Sequence, residues 1–214
     1  MNKLILPILL IIGVLVISGC AQNGNQTTPD KQSDIFGKYK NSNVAECEKI
    51  GDPYERDMCY YDVARPGEGE NVCGKIGNSL FKLRDISIRD LCFKNIAIDK
   101  AKIPGYSIEA KNICEQIQTS TIKDDCYFDV ALGTGDKELC KRFEGSNMSS
   151  GCYWGVAIES GEPELCEKVG SPLKDSCYSG VAAKTKNLDL CGKIVNDAQK
   201  TGCVNLVNLE KQTT

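Results

Sequence analysis

The chain has 214 residues, enough for one or two domains, and a formal net charge of −3 at neutral pH. It contains 13 cysteines and no histidine, which excludes Ser-His-Asp and Cys-His catalysis, histidine-bearing zinc sites and histidine proton switches. The acidic balance argues against nucleic-acid binding, which normally requires a basic face.

The first residues have the order of segments found in a signal peptide. One basic residue, Lys3, precedes an apolar run of 14 residues, and two small residues then precede Cys20. Because a membrane-spanning helix needs about 20 apolar residues, the run is too short for a comfortable span. The sequence therefore predicts export, with residues 1–19 as the signal peptide.

The end of this segment, Ile17-Ser18-Gly19-Cys20, resembles the lipobox of prokaryotic lipoproteins, with isoleucine where that family commonly has leucine. In that family, cleavage occurs before the cysteine, which becomes the lipid-modified first residue. The resemblance implies lipidation of Cys20 and attachment to the cell membrane on its extracytoplasmic side. The alternatives are an ordinary secretory signal with a chance cysteine and a retained membrane anchor.

A polar stretch follows the lipobox-like segment. Residues 21–43 are rich in Asn, Gln, Ser, Thr and Gly, and Ile35-Phe36 is almost their only apolar content. Such a composition cannot bury enough surface to fold alone. We therefore predict that residues 20–43 comprise the lipidated cysteine and a flexible tether.

Residues 44–214 contain one unit repeated six times. The first cysteine of each unit begins the pattern Cys-x-x-Ile/Val/Phe, and the second begins Cys-aromatic-x-x-Val/Ile-Ala in all copies but the last. Within a unit the cysteines are 12, 19, 12, 12, 11 and 12 residues apart. The pairs are Cys47 and Cys59, Cys73 and Cys92, Cys114 and Cys126, Cys140 and Cys152, Cys166 and Cys177, and Cys191 and Cys203. Self-similarity of this length marks an array of supersecondary units.

Each unit is predicted to form a helical hairpin. In the fifth copy, Pro163 suits a first helical turn, Gly170 suits a helix end, and Ser171-Pro172 suits an N-cap followed by the first residue of a second helix. In the first copy, Asp52-Pro53 repeats that start signal. We predict an all-α, α-solenoid-like array of six hairpins, each with a first helix of about two turns and a second of about three.

The second copy is irregular. It has seven extra residues between its cysteines and eight more after Cys92. We expect longer helices or a protruding loop there. The irregular copy is a candidate functional edge, and tolerated insertion is the alternative that we favour.

The twelve paired cysteines are predicted to form disulfides. Zinc sites and redox motifs need closely spaced cysteines, and no two cysteines here are closer than 11 residues. Two connectivities remain, within each unit or from each second cysteine to the next first cysteine. We favour the first, because the second leaves Cys47 and Cys203 without local partners. Each bridge would contribute roughly 3 kcal/mol in the chain-entropy model.

The plan of the array resembles Sel1-like and other tetratricopeptide-type α/α repeats, although the Trp, Gly and Tyr pattern of the tetratricopeptide unit is absent. It also resembles cysteine-rich repeat lipoproteins of archaeal surfaces, which carry no assigned activity. These resemblances imply a helical scaffold, and they supply no activity that could be carried over to this chain.

Three further sets of residues are candidates for function. Aromatic residues follow the second cysteines, and we expect them to pack in the core rather than stack on a glycan or peptide: Tyr60, Phe93, Tyr127, Tyr153 and Tyr178. Acids precede those cysteines by two positions, and we attribute them to the helix dipole rather than to glycosidase-type catalysis: Asp57, Asp90, Asp124 and Asp175. Tyr153 and Trp154, the only tryptophan, are candidate partner-binding residues, with packing between copies as the alternative.

Asn25 and Asn147 fit the N-glycosylation pattern, and chance matches to it are common.

The sequence therefore predicts a lipid-anchored cell-surface repeat protein that is not an enzyme, needs no cofactor or metal, and binds a protein or peptide partner. The alternative is an envelope enzyme, or an enzyme-associated subunit, that uses Asp/Glu chemistry on glycans.

Overall fold

The computed structural model describes residues 37–64, 69–81 and 85–212, and this part of the chain is an array of six helical hairpins. The long second helices are α2 (Pro53–Val63), α4 (Ile88–Ala101), α6 (Ser120–Thr134), α8 (Met148–Ser160), α9 (Ser171–Thr185) and α10 (Asp197–Gln212). The short first segments are α1 (Val44–Cys47), α3 (Glu70–Cys73), α5 (Ser107–Glu115), α7 (Lys137–Cys140), which runs into the 3-10 turn Lys141–Phe143, and the 3-10 helices Pro163–Lys168 and Leu188–Lys193. The predicted all-α class is confirmed.

The first segments differ from the prediction of about two α-helical turns, apart from α5. The segments α1 and α3 have one turn each, α7 continues as a 3-10 turn, and the last two first segments are 3-10 helices of six residues. Isolated helices of this length are unstable in water, so tertiary contacts must hold them. In each hairpin a cysteine in the first segment is bonded to the long helix.

The starts of the long helices follow local capping rules. The carboxylate of Asp52 accepts the Glu55 N–H at 2.8 Å, which confirms the predicted start of α2. In the fifth hairpin the N-cap is Gly170 rather than Ser171, one residue earlier than predicted. Pro172 still lies in the first turn of α9, where its missing N–H has no helical partner to lose.

Successive long helices pack side by side and point in the same direction. Near their N-terminal ends, the carboxylate of Asp90 in α4 accepts the Thr119 N–H just before α6. Near their C-terminal ends, a Cβ placed on Gly133 of α6 would lie 3.1 Å from the Cβ of Ala101 in α4. Contact at both ends requires a parallel arrangement, so one edge of the array carries all the C-terminal ends of the long helices.

The core is a continuous row of disulfides and small apolar side chains. The Val-Ala pairs after the second cysteines are buried in the third, fourth and fifth hairpins: Val130-Ala131, Val156-Ala157 and Val181-Ala182. Glycines allow adjacent helices to approach closely, since a Cβ on Gly180 would lie 2.5 Å from Cδ1 of Ile158. The apolar face predicted from helical periodicity is therefore the face along which the hairpins stack.

Both insertions of the second copy lie at the ends of α4. Before α4, strands β1 (Leu80–Phe81) and β2 (Ile86–Ser87) pair antiparallel, with Leu80 opposite Ser87. After α4, the chain forms a turn and then α5, whose nine residues make it the longest first segment. A longer helix is thus present, and the two-stranded hairpin is a departure from the expectation.

The first repeat is extended at its N-terminal side. The backbone N–H groups of Gly37 and Tyr39 both donate to the carboxylate of Asp62 in α2, each at 3.1 Å. The Tyr39 side chain also packs against the core. Residues 37–43, which the sequence analysis assigns to the tether, are therefore bound to the first repeat.

Candidate functional site

All twelve repeat cysteines form disulfides, and each bridge lies within one hairpin. Their Cα–Cα distances are 5.5 to 5.7 Å, within the range normal for disulfides. All twelve side chains are buried. The favoured connectivity is confirmed, and pairing between hairpins is excluded, so none of these cysteines is a free thiol for redox or nucleophilic chemistry.

The repeated acids connect each hairpin to the next one, and we call this contact between consecutive hairpins a seam. Asp90 is buried, and its carboxylate accepts the N–H groups of Gln118 and Thr119, at 3.1 and 2.9 Å, at the start of α6. Asp175 accepts the N–H groups of Val195 and Asn196 in the same way. The helix-dipole interpretation holds with a change, because the stabilised N-terminus belongs to the following repeat.

The remaining three seams vary this contact. Asp57 accepts the Gly77 N–H at 3.0 Å. In the fourth hairpin, Ser150 replaces the acid and accepts the Gly170 N–H at 3.0 Å. Asp124 is half-exposed and instead pairs with Arg142 of the next repeat at 2.9 Å. These acids lie one to a seam and do not form the adjacent pair that glycoside hydrolysis requires.

The aromatic residues after the second cysteines are buried, as expected, and three of their hydroxyls form hydrogen bonds. Tyr153 is 2% exposed, and its hydroxyl donates to Glu144 at 2.9 Å. In the corresponding hydrogen bonds, Tyr127 donates to Glu115 and Tyr178 donates to Glu167. Burial, reinforced by the neighbouring carboxylate, raises the pKa of all three hydroxyls to about 12.

Each of these tyrosine rings is covered by a cation from the next repeat. The Arg142 guanidinium lies 4.6 Å from the ring centre of Tyr127, and the ammonium groups of Lys168 and Lys193 lie 4.7 and 5.3 Å from Tyr153 and Tyr178. A cation over an aromatic face is electrostatically favourable. The aromatic ladder is therefore an element of the seams.

Sequence reasoning missed the carboxylates and cations of these contacts. The available signal was the basic residue two positions after most first cysteines, as in Cys-Glu-Lys and Cys-Gly-Lys. That spacing places Arg142, Lys168 and Lys193 beside the aromatic ring of the preceding repeat.

The two candidate partner-binding residues have different environments. Tyr153 lies in the core, so its ring is not available at the surface, and this corrects the expectation for Tyr153. Trp154 is 37% exposed on α8. Leu173 on the adjacent α9 is also exposed. Trp154 therefore remains the candidate contact for a partner on this side of the array.

A cleft of about 300 Å³ lies between the fourth and fifth hairpins. Its lining residues are Lys137, Glu138, Lys141, Tyr153, Leu165 and Lys168. The lysines are engaged locally, since Lys137 pairs with Glu162 at 2.5 Å and Lys141 pairs with Glu138 at 2.6 Å. The cleft contains a single carboxylate, which does not provide the two opposed carboxyl groups of a glycosidase.

Some predictions concern parts of the chain that the structure does not describe. Cys20, Asn25 and residues 1–19 lie outside the described residues, whereas Asn147 is exposed just before α8. Among residues 37–64, 69–81 and 85–212, no cluster of metal-ligating side chains is found. Within those same ranges, no helix has the length and apolar character needed to cross a membrane.

Comparisons of this chain with family models, curated proteins and solved structures found no match.

Proposed function

We propose that this protein is a membrane-anchored extracytoplasmic lipoprotein whose helical repeats serve as a non-catalytic interaction or scaffold module for protein or peptide partners. The six disulfides indicate an oxidising, extracytoplasmic environment. The lipid anchor rests on the lipobox-like sequence at Cys20.

The observation that carries the scaffold proposal is the use of the repeated polar residues within the seams. The carboxylate of Asp90 accepts backbone N–H groups of the following repeat, and the ring of Tyr153 is covered by Lys168 of the following repeat. Groups held in this way stabilise the stacking of hairpins. Stacked hairpins form the extended surfaces that repeat proteins use for recognition.

An affinity-capture experiment on envelope extract tests the interaction role. Full-length protein is compared with Trp154→Ala, because exposed tryptophans are common anchors at interfaces. We expect Trp154→Ala to lower recovery of a specific partner by about tenfold, corresponding to roughly 1.4 kcal/mol of binding.

Leu209→Ala is the matched control, since Leu209 is an exposed apolar residue on α10. Equal recovery by the wild type and both variants would exclude Trp154 as the contact. Catalytic turnover of an envelope glycan that depends on Asp or Glu residues would favour the enzymatic alternative instead.

Mass spectrometry of the mature N-terminal peptide tests the anchor. We expect a lipid mass on Cys20 and release of Cys20→Ser from the membrane fraction, while Ser18→Ala, which keeps a small residue before the cleavage site, remains attached. An unmodified Cys20 peptide in the mature protein contradicts the lipoprotein assignment.

A further inference from the structure

The insertion after α4 presents a cluster of exposed apolar side chains. Ile103 is 46% exposed, Tyr106 is 40% exposed and Ile108 is 66% exposed. These residues lie in a segment that we call the 103–108 turn, and the other copies have no equivalent insertion. Scattered exposed apolar residues are normal on protein surfaces, whereas a cluster within one turn marks an interaction site.

The 103–108 turn has a defined backbone. The Ile103 N–H donates to the Lys100 carbonyl at 3.0 Å, and the Tyr106 N–H donates to the Ile103 carbonyl at 3.2 Å. Gly105 has a φ of +90°, a conformation that favours glycine, and a Cβ there would meet no atom within 4 Å. The turn therefore projects into open space with its apolar side chains outward.

Two lysines precede the apolar cluster, Lys100 and Lys102, and exposed Glu109 follows it. The Lys100 ammonium lies 4.8 Å from the ring centre of Tyr106. Lys100 makes no ion pair with any residue in the described ranges, whereas exposed Lys102 pairs with Asp99 at 3.0 Å. Tyrosine at the headgroup level, aliphatic side chains below it and lysines reaching anionic headgroups are the combination found at membrane interfaces.

The position of the turn also points to the membrane. The turn follows the last residue of α4, so it lies on the edge that carries the C-terminal ends of the long helices. Gly37 is bound to Asp62, at the C-terminal end of α2, at 3.1 Å. Tyr61, next to Asp62, accepts a hydrogen bond from Asn95 at 2.8 Å, so the chain preceding Gly37 joins the array beside Asn95, six residues before the end of α4. At 1.5 Å per residue, this point lies about 9 Å from the edge that carries the 103–108 turn.

We propose that the 103–108 turn is a second membrane contact, which places Ile103, Tyr106 and Ile108 in the headgroup region of an anionic lipid surface. The proposal rests on the lipid anchor at Cys20. A predicted tether of about 16 residues has a root-mean-square length of roughly 20–24 Å, which keeps this edge near the bilayer. A single acyl chain binds membranes only marginally, and a second contact stabilises the attachment.

Fluorescence quenching by brominated lipids tests this orientation. Full-length protein with the single tryptophan removed by Trp154→Phe is reconstituted into vesicles containing anionic lipid brominated on the upper acyl chain. Phenylalanine is suitable at this position because Phe128 occupies the corresponding place in the third repeat. Tyr106→Trp then serves as the reporter, and Ile108→Trp replaces it if the first variant does not fold.

The matched control is Val195→Trp, on the opposite edge just before α10; Val195 is 87% exposed, the highest value among the large apolar residues that the structure describes. We expect brominated lipid to lower the emission of Tyr106→Trp about twofold and to leave Val195→Trp unchanged, because interfacial side chains lie roughly 5–10 Å into the headgroup boundary. Replacing the anionic lipid by zwitterionic lipid should reduce the quenching.

The outcomes separate this proposal from the proposed function. Protein that stays on the vesicles with an unquenched reporter contradicts the contact at the turn and leaves the lipid anchor intact. A reporter shielded only after addition of envelope proteins assigns the turn to a protein partner and also overturns the proposal. Detachment from vesicles together with an unmodified Cys20 peptide contradicts the lipoprotein assignment itself.

Discussion

The seam after the second repeat and the seam after the fourth repeat hold consecutive hairpins together with different side chains. After the fourth repeat, the Lys168 ammonium of the next hairpin lies over the ring of Tyr153. After the second repeat, the aromatic residue is Phe93, and its cation is Arg89 of the same hairpin, 4.8 Å from the ring centre. Arg89 then reaches the next hairpin by donating to the Gln116 carbonyl at 3.3 Å.

The backbone contact is the element that the two seams share. Asp90 at one seam and Ser150 at the other accept N–H groups at the start of the following long helix. The backbone cap of the following helix is therefore kept even where the residues of the aromatic contact change. The insertions of the second repeat lie at the ends of α4, so they leave the stacking face free.

The largest expected effect comes from reduction of the disulfides, which are present in both of the repeats compared above. Strong reductant should unfold the whole array, because each bridge closing about a dozen residues contributes roughly 3 kcal/mol in the chain-entropy model. Circular dichroism during thermal unfolding, with and without reductant, measures this effect. Cooperative unfolding at an unchanged midpoint under reducing conditions would contradict it.

The next effect tests the backbone cap in the seams. Asp90→Ala should lower the free energy of unfolding by about 1–3 kcal/mol, because it removes two hydrogen bonds that a buried, charged carboxylate accepts. Asp124→Ala is the matched control, since that half-exposed carboxylate forms a surface ion pair with Arg142, and its removal should cost less than about 1 kcal/mol. Denaturant titration of both variants checks the order, and equal losses would show that the buried cap adds nothing.

The smallest effect per residue changed concerns the hydroxyl of the aromatic contact, which the second repeat lacks because Phe93 stands there. Tyr127, Tyr153 and Tyr178 have pKa values raised to about 12 from an ordinary 10.0. The folded chain therefore retains these protons at a pH where the unfolded chain loses them. The free energy of unfolding should fall as the pH rises from about 10 to about 12.

The variant with all three tyrosines changed to phenylalanine isolates this contribution. It should lose about 1 kcal/mol per hydroxyl hydrogen bond at neutral pH and show a shallower decline at alkaline pH. Phe93 already provides this arrangement in the second repeat. Thermal unfolding at several pH values measures the decline, with Tyr106→Phe on the exposed turn as the control. The same alkaline slope in wild type and triple variant would exclude the tyrosines as its source.

Local patterns were sufficient for the hairpins and for the start of α2, and they placed the start of α9 within one residue. The caps at Asp52 and Pro172 depend on residues close in sequence, and the periodic Cys, Val and Ala positions identify a buried face. The partners of Asp90 and Tyr153 could not be identified in this way. Asp90 bonds residues 28 and 29 positions away, and the cation over Tyr153 comes from the next repeat.

Local sequence patterns also failed to predict the full structure of the two insertions. Strands of two residues are too short to display the alternation by which strands are recognised, so β1 and β2 were not expected. The exposed turn at Ile103 and Tyr106 is visible as extra sequence, but its place on the edge of the array depends on the packing of α4 against its neighbours.

Cysteine spacing, helix capping and helical periodicity act over a few residues, so the amino-acid sequence was enough to predict an array of six helical hairpins. It also limited disulfide pairing to two patterns. The choice between those patterns, the position of the repeated acids and tyrosines in the seams, and the position of the 103–108 turn at the C-terminal end of α4 required the tertiary structure. Those features depend on which helix ends meet in space, and that is set by packing between repeats.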